Sequence, residues 1–582
     1  MTAYRAPLRE MEFLLKDVLD LSRLDGLGGL TATDNETLLG VASEAGRLIE
    51  SELEPLRASS DMGCHFEGGQ VRTPEGYPAF YRQFREAGWC GIAHAAEYGG
   101  AELPFLAGKI VDELLCSANV AFALYPGLTA SCAEAIEACA SDELKQRYLP
   151  KLISGEWAGT MCLTEPQAGS DLAAVRARAV LQADGSYSID GSKICISSGE
   201  HDLTDNIVHF VLARLPDAPP GIRGLSTFIV PKFLPGAEGS PGVANAVRCV
   251  SIEHKMGLNG SATCAMAFEG ATGWLAGEAN HGIQNMFVMM NMARIMVGIQ
   301  GLGLCELATQ AAIGYAQERK QGKALNGGEF IVDHPDVRRM LLHMRAVTEG
   351  ARLLAYETAM QVDLARHHRD PAIREEAQDW VELNTPLVKS FCTDSAVELG
   401  SLAIQVHGGH GYIREQGVEQ ILRDAKILCL YEGTNGIQAM DLVRRKLQQN
   451  DGRAALRFFD RVGEACDKAA DDSGYIVGPL RDAVDALRDA TSRIQQSIRD
   501  GAATASAFGC VDYLRAFSLT YLGYNWLRMA EASVSHPDVS FRDAKRAAAL
   551  YFSTRQLTQV SWLCANTLQS ADELMRLPVA SS

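Results

Sequence analysis

The sequence predicts a mainly helical α+β fold, in which a compact β-barrel interrupts an otherwise helical chain. Three observations predict it. Apolar residues fall at helical spacing up to about residue 157, the period changes to two between 158 and 275, and helical spacing then returns to the end of the chain. At 582 residues the chain exceeds what one hydrophobic core usually supports, so several domains are expected.

The first segment, residues 1–157, reads as an N-terminal helical domain. Met11, Leu14, Leu15, Val18 and Leu19 share one helical face, and TPEGYP (73–78) and HAAEYGGAELP (94–104) act as breakers. Residues 158–275 read as the barrel. ADGSYSIDGSKICISSG (183–199) carries two Asp-Gly turns around alternating residues, a hairpin signal, and four further strand-like runs follow from IVHFVLARL to ATCAMAFEG. Residues 276–448 read as a helical-bundle domain of four helices, the long apolar run 281–319 followed by 334–368, 372–405 and 416–428. The polar stretch QQNDGR (448–453) introduces 449–582, an additional C-terminal helical domain.

Composition narrows the function classes. With 47% hydrophobic and 22% charged residues, the chain is that of a globular protein. The opening residues lack a basic segment followed by an apolar one, and no run of 18 apolar residues occurs, so neither a secretory signal nor a membrane span is expected. The fifteen cysteines lack CxxC pairs and read as buried reduced thiols of a cytoplasmic protein. His254, His407 and His410 have no ligand spacing, so no metal is expected. A net charge of −18 argues against nucleic acid or an anionic membrane as partner, and residues 451–582 balance 15 basic against 16 acidic side chains.

Four motifs carry chemistry: MCLTEPQAGSDL (161–172), the Glu-Arg of YAQERKQGK (315–323), QVHGGHGYIRE (405–415) and RDAKILCLYEGTNGIQ (423–438). Each has a plain alternative in isolation. Ser170 or Asp171 could cap a helical turn, Arg319 could be an exposed helix-end cation, the glycines could end a helix, and Glu432 could cap one. Together and in this order, they resemble the acyl-CoA dehydrogenases, over roughly residues 80–448. Such an enzyme takes a proton from the α-carbon and a hydride from the β-carbon of an acyl thioester, leaving a trans-2-enoyl thioester. The weakly acidic α-carbon demands a desolvated carboxylate facing it and donors that polarise the thioester oxygen.

The resemblance implies FAD as cofactor and Glu432 as the base, with its own N–H helping to bind the thioester oxygen and Gly433 letting the substrate approach. It implies that Thr164 and the backbone near it meet the flavin edge and that Ser170 lies near flavin phosphate or CoA. Ile196 and Ser197 would lie on the strand against the flavin face, and Thr434 and Asn435 would hold the cofactor. Arg319 would bind pyrophosphate, and Gln405, Gly408 and Gly409 would reach the dinucleotide of a neighbouring subunit. Arg294 matches an arginine on the substrate side, although a buried ion pair fits it equally. Two departures stand out: Cys195 where relatives carry an aromatic residue, and Lys320-Gln321-Gly322 without the usual Phe. The N-terminal YRAPLREMEFLL and the C-terminal helical region resemble the branch that includes 3-methylmercaptopropionyl-CoA dehydrogenase, which implies 3-(methylthio)propanoyl-CoA as substrate, a homodimer, and an electron-transfer flavoprotein as acceptor. A short- or medium-chain acyl-CoA, an acyl-CoA oxidase and a DNA-associated flavoprotein of this fold are the alternatives. Met286, Met289, Met290 and Met292 read as core, or as a soft pocket wall.

Overall fold

The computed structural model describes residues 3–236, 239–569 and 571–579. In chain order the elements begin with α1 (Leu8–Phe13), α2 (Asn35–Leu48), α3 (Arg57–Met62), β1 (His65–Glu67), β2 (Gln70–Arg72), α4 (Tyr77–Glu86), α5 (Phe105–Cys139) and α6 (Asp142–Ile153). Strands follow: β3 (Trp157–Cys162), β4 (Arg178–Leu181), β5 (Tyr187–Ser197), β6 (Asn206–Arg214), β7 (Leu225–Pro231), β8 (Phe233–Pro235), β9 (Pro241–Ala244), β10 (Val247–Ile252) and β11 (Thr263–Ala276). The rest is helical: α7 (Gly282–Glu318), α8 (Pro335–His367), α9 (Pro371–His407), α10 (Glu419–Lys426), α11 (Asn435–Asp441), α12 (Arg453–Lys468), α13 (Gly474–Arg499), α14 (Ala503–Phe508), α15 (Cys510–Ser533), α16 (Val539–Arg555), α17 (Gln559–Asn566) and α18 (Ala571–Leu574). The predicted succession of helices, barrel, bundle and further helices is therefore the observed one. By contacts the chain forms two compact units. One holds Gly29–Thr31 and Ala45–Met296; the other holds the residues up to Gly28, Ala32–Glu44 and everything from Val297 onward.

In the first unit, β11, β5, β4, β6 and β7 close into a ring, with β10 flanking β11 and β3 flanking β6. The strand β6 is buried on both faces. Val208, Phe210 and Leu212 pack with Tyr148, Leu149 and Trp157 on the helical side, while Val211 and Ala213 face Ile189, Phe228 and Phe268 inside the barrel. Of the two Asp-Gly signals, only Asp184-Gly185 makes a turn, between β4 and β5. Asp190-Gly191 lies inside β5, opposite a bulge in β11, where Asp190 accepts the N–H of Gly270 at 2.8 Å. A Cβ at Gly191 would stand 2.7 Å from that of Ala177, so the glycine serves close packing rather than a turn. The all-helical expectation for the first 157 residues also needs correction, since β1 and β2 form a small hairpin. Its two-residue Gly68-Gly69 turn, with φ of 60° and 84°, is the signal that was passed over. Met286 and Met289 are fully buried in this unit's core, which favours the packing reading.

In the second unit, α8 and α9 match the expected 334–368 and 372–405 within two residues, and α10 is only two turns long. The part of α7 beyond Met296 packs on α9 at very short range, because a Cβ at Gly301 would meet the backbone of Cys392 at 2.7 Å. The C-terminal helices share the bundle's core. Trp526 donates to the carbonyl of Ala346 at 2.9 Å, Asn525 to that of Gly350 at 3.1 Å, and the buried Lys545 pairs with Glu349 at 2.8 Å. The N-terminal residues join them through Arg9–Asp538 at 2.6 Å, Glu10–Lys545, and Phe13 edge-on to Phe541 at 5.2 Å. So the two features that suggested the thioether branch pack against each other. Among the described residues two helices, α5 and α7, are long and apolar enough to cross a membrane; 83% and 72% of their most apolar windows are buried inside the protein.

Candidate active site

In the barrel unit, the TEPQAGSD loop leaves β3 and is organised by a buried ion pair. Lys193 of β5, wholly inaccessible, lies 2.8 Å from Glu165 and also donates to the carbonyl of Leu163 at 3.0 Å. Glu165 further accepts the N–H groups of Arg176 (2.7 Å) and Ala177 (3.0 Å) and the amide of Gln167 (2.6 Å). Burial pushes its carboxyl up, but Lys193 and these donors outweigh burial and hold it below its ordinary value of 4.5. Thr164 is half-buried, and its carbonyl accepts Ile194 N at 2.9 Å. The turn's capping role falls to Asp171, which accepts Ala173 N at 3.0 Å, leaving Gly169 and Ser170 exposed.

The strand expected against the flavin face carries a bulge. Register shifts between Cys264 and Met266 opposite residues 193–196 of β5, and Cys195 has φ of 58°. The bulge breaks the period of two, so Lys193 and Ile196, three apart, both point into the barrel. The Ile196 side chain is 2% exposed in the barrel core, which leaves its backbone for a cofactor. Ser197 is half-exposed, with its carbonyl taking the Thr160 hydroxyl at 2.8 Å. Cys195 is the one exposed thiol among the described residues, and partial burial with the charge of Glu253 raises its pKa. Arg294 is 7% exposed in α7, near the Asn291 amide at 3.4 Å and 5.9 Å from the ring of Phe287.

In the helical unit, the end of α7 meets the end of α9. Tyr315 stacks on the buried His407 at 4.2 Å and hydrogen-bonds His410 at 3.0 Å. This contact unites Arg319, one turn after Tyr315, with the loop of Gly408 and Gly409. The Arg319 side chain is exposed with no ion-pair partner among the described residues, and Gln405, Gly408 and Gly409 are exposed, the glycines facing open space. A free guanidinium beside unobstructed backbone fits a dinucleotide's phosphates. In place of the missing Phe, Lys320 pairs with Glu329 at 2.6 Å and lies over the Phe330 ring at 5.0 Å.

Glu432 is half-buried in the turn before α11, with φ of 54°, followed by Gly433 at 84°. A left-handed glutamate costs about 1–2 kcal/mol, so its neighbours must enforce it. Gln438, itself buried, reaches the carbonyls of Glu432 and Gly433 at 3.4 and 3.3 Å. Thr434 is the residue before the helix, and its hydroxyl makes no cap hydrogen bond. Asn435 differs from expectation. Its side-chain amide is bound by Lys389, Thr393 and Asp394 of α9, so only its backbone can face a cofactor. Lys389 and Gln438 were missed in the sequence, although a lone lysine in the apolar run LVKSF carries the same signal as Arg294. Among the described residues no cluster of three or more His, Cys, Asp or Glu is placed to hold a metal.

Comparison with known proteins identifies the family. Family models match in sequence order: acyl-CoA dehydrogenase N-terminal domain (36–156), middle domain (160–271), C-terminal domain (280–447), and acetyl-CoA dehydrogenase C-terminal like (458–578). The chain is 47% identical, over 79% of each chain, to the 3-methylmercaptopropionyl-CoA dehydrogenase of Ruegeria pomeroyi. It is 33% identical, over 95% of each, to a broad-specificity linear acyl-CoA dehydrogenase of Mycobacterium tuberculosis. The solved acyl-CoA dehydrogenase of Bacillus anthracis, complexed with FAD, superposes with a TM-score of 0.75 at 21% identity, covering 97% of this chain and 93% of its own. Models matched in order and a relative this similar leave one assignment: the chain belongs to the acyl-CoA dehydrogenase family.

Proposed function

We propose that this member of the family oxidises 3-(methylthio)propanoyl-CoA to its trans-2-enoyl thioester, with Glu432 as the base. The observation that carries the reading is the strained turn at Glu432 within the YEGTNG motif, braced by Gln438 on its carbonyls, since strained backbone enforced by its surroundings clusters at functional sites. FAD is the cofactor, and when bound it supplies the acceptor for the β-hydride. Thr164, Ser170, Thr434 and the backbone of Ile196, Ser197 and Asn435 would hold it, and Arg319, Gln405, Gly408 and Gly409 would reach the dinucleotide of a neighbouring subunit. Glu432 takes the α-proton on its carboxylate while its N–H polarises the thioester oxygen, and Gly433, without a side chain, leaves room for the acyl group. Arg294 would face the CoA side. The relative from Ruegeria pomeroyi supports the thioether substrate. An electron-transfer flavoprotein as acceptor and a homodimer complete the reading; Tyr412, 85% exposed beside the glycine loop, is the kind of residue a second subunit covers. A gel-filtration mass of one chain would refute the dimer.

Anaerobic titration of the yellow protein with 3-(methylthio)propanoyl-CoA and butanoyl-CoA tests the reaction. Bleaching of the flavin band by the first at the lower concentration, and its loss in Glu432→Gln, is the expected result. Bleaching by butanoyl-CoA alone would reassign the substrate, and bleaching in the variant at the wild-type rate would reject the base.

A further inference from the structure

We propose that Lys389, acting through Asn435, is a positioning residue that holds the Glu432 carboxylate toward the acyl α-carbon; this rests on the assignment of Glu432 as base. Asn435 stands three residues after Glu432, at the first turn of α11. Its Oδ1 accepts from Lys389 Nζ at 2.7 Å, and its Nδ2 donates to Asp394 Oδ1 at 2.7 Å and Thr393 Oγ1 at 3.0 Å. These partners, with the Ser390 carbonyl at 3.4 Å from Nδ2, lie on α9, a 37-residue helix, and Lys389 is completely buried. The amide has one orientation open to it. An ammonium only donates, so it selects the carbonyl side, and a carboxylate only accepts, so it selects the NH2 side. A residue with both functions in this geometry is needed, and asparagine supplies them.

The anchoring continues on either side of the strained residue. Tyr431, immediately before Glu432, donates its hydroxyl to Gln300 of α7, and Gln438 donates to the carbonyls of Glu432 and Gly433. The left-handed pair 432–433 is thus spanned by side chains fixed to two long helices. Glutamate has no intrinsic preference for that conformation, so loosening Asn435 lets the turn relax and swings the carboxylate away. Lys389 acts at one remove, through the amide it orients.

The test uses flavin-loaded Lys389→Met, Lys389→Arg, Asn435→Ala and Asn435→Asp, with Glu432→Gln alongside. The readouts are the anaerobic bleaching rate at saturating 3-(methylthio)propanoyl-CoA, its half-saturating concentration, flavin content, and amide hydrogen exchange of residues 430–438. Lys389→Met and Asn435→Ala are expected to lose about 100-fold in saturated rate, as misplaced catalytic groups do. Half-saturation should change by less than about threefold, as expected where transition-state alignment rather than substrate binding is lost. Flavin content should stay full, exchange at 432–434 should rise, and Lys389→Arg should recover most of the rate. Asn435→Asp keeps an acceptor for Lys389 but sets a carboxylate against Asp394, and should lose rate likewise; it decides the matter if Lys389→Met does not fold. Wild-type rates in Asn435→Ala or Asn435→Asp beside an inactive Glu432→Gln would overturn the positioning role alone. So would loss of rate only in step with loss of flavin. Bleaching by Glu432→Gln at the wild-type rate would overturn the base and this proposal together.

Discussion

The loop after β3 and the turn before α11 both carry candidate site residues, yet they are held by opposite means. The barrel loop is organised around a buried ion pair, with Glu165 gathering Lys193, two backbone N–H groups and an amide. The Glu432 turn is held from outside, by Gln438 on its carbonyls and through Asn435, whose amide is fixed by Lys389, Thr393 and Asp394 of α9. The difference lies in where the bracing comes from. In the loop the organising carboxylate belongs to the motif itself, whereas at the turn the bracing side chains come from α9 and α11.

Four measurements would break or sharpen that contrast. The largest effect is expected from Glu432→Gln, which should slow anaerobic flavin bleaching by about 10³–10⁴-fold while flavin binding and the thermal midpoint stay near wild type. A large fall in the midpoint would make Glu432 a structural carboxylate like Glu165. Next, Glu165→Gln should leave Lys193 buried without its anion and lower stability by about 3–5 kcal/mol in urea unfolding, with Glu165→Leu/Lys193→Met recovering much of the loss. The pH dependence has a definite sign. Because the folded-state pKa of Glu165 lies below 4.5, its contribution is fully present above that value and disappears as pH falls through the folded pKa, so unfolding midpoints should drop on acidification below 4.5 in wild type more steeply than in the double variant. Third, Arg319→Ala should weaken FAD retention by about 1.5–3 kcal/mol, the worth of hydrogen bonds to a charged partner, measured by flavin release. Smallest, Cys195 should be the first thiol labelled by a neutral disulfide reagent, slowly at pH 7 because its pKa is raised, and bound FAD should slow it further. Labelling unaffected by FAD would remove this strand from the flavin face.

Much of this was legible in the sequence because it depends on local pattern. The period-two strands, the helices over 334–368 and 372–405, and the order of the motifs follow from side-chain spacing. What was misjudged depended on partners distant in the chain. Asp190-Gly191 reads as a turn until β11 is seen to bulge opposite it. The inward side chain of Ile196 depends on the bulge at the left-handed Cys195, which strand periodicity does not show. That the side-chain amide of Asn435 is claimed by α9, 41 to 46 residues away in sequence, is likewise invisible in the motif.

By itself the sequence determined the kinds of element, their order, and the identity of the reactive groups, since hydrophobic period and residue chemistry are local properties. Only the tertiary structure decided which polar groups are spent on holding the protein together and which remain for chemistry. A buried lysine, amide or carboxylate must find a partner wherever the fold provides one, and that partner is set by packing between helices and strands far apart in the chain.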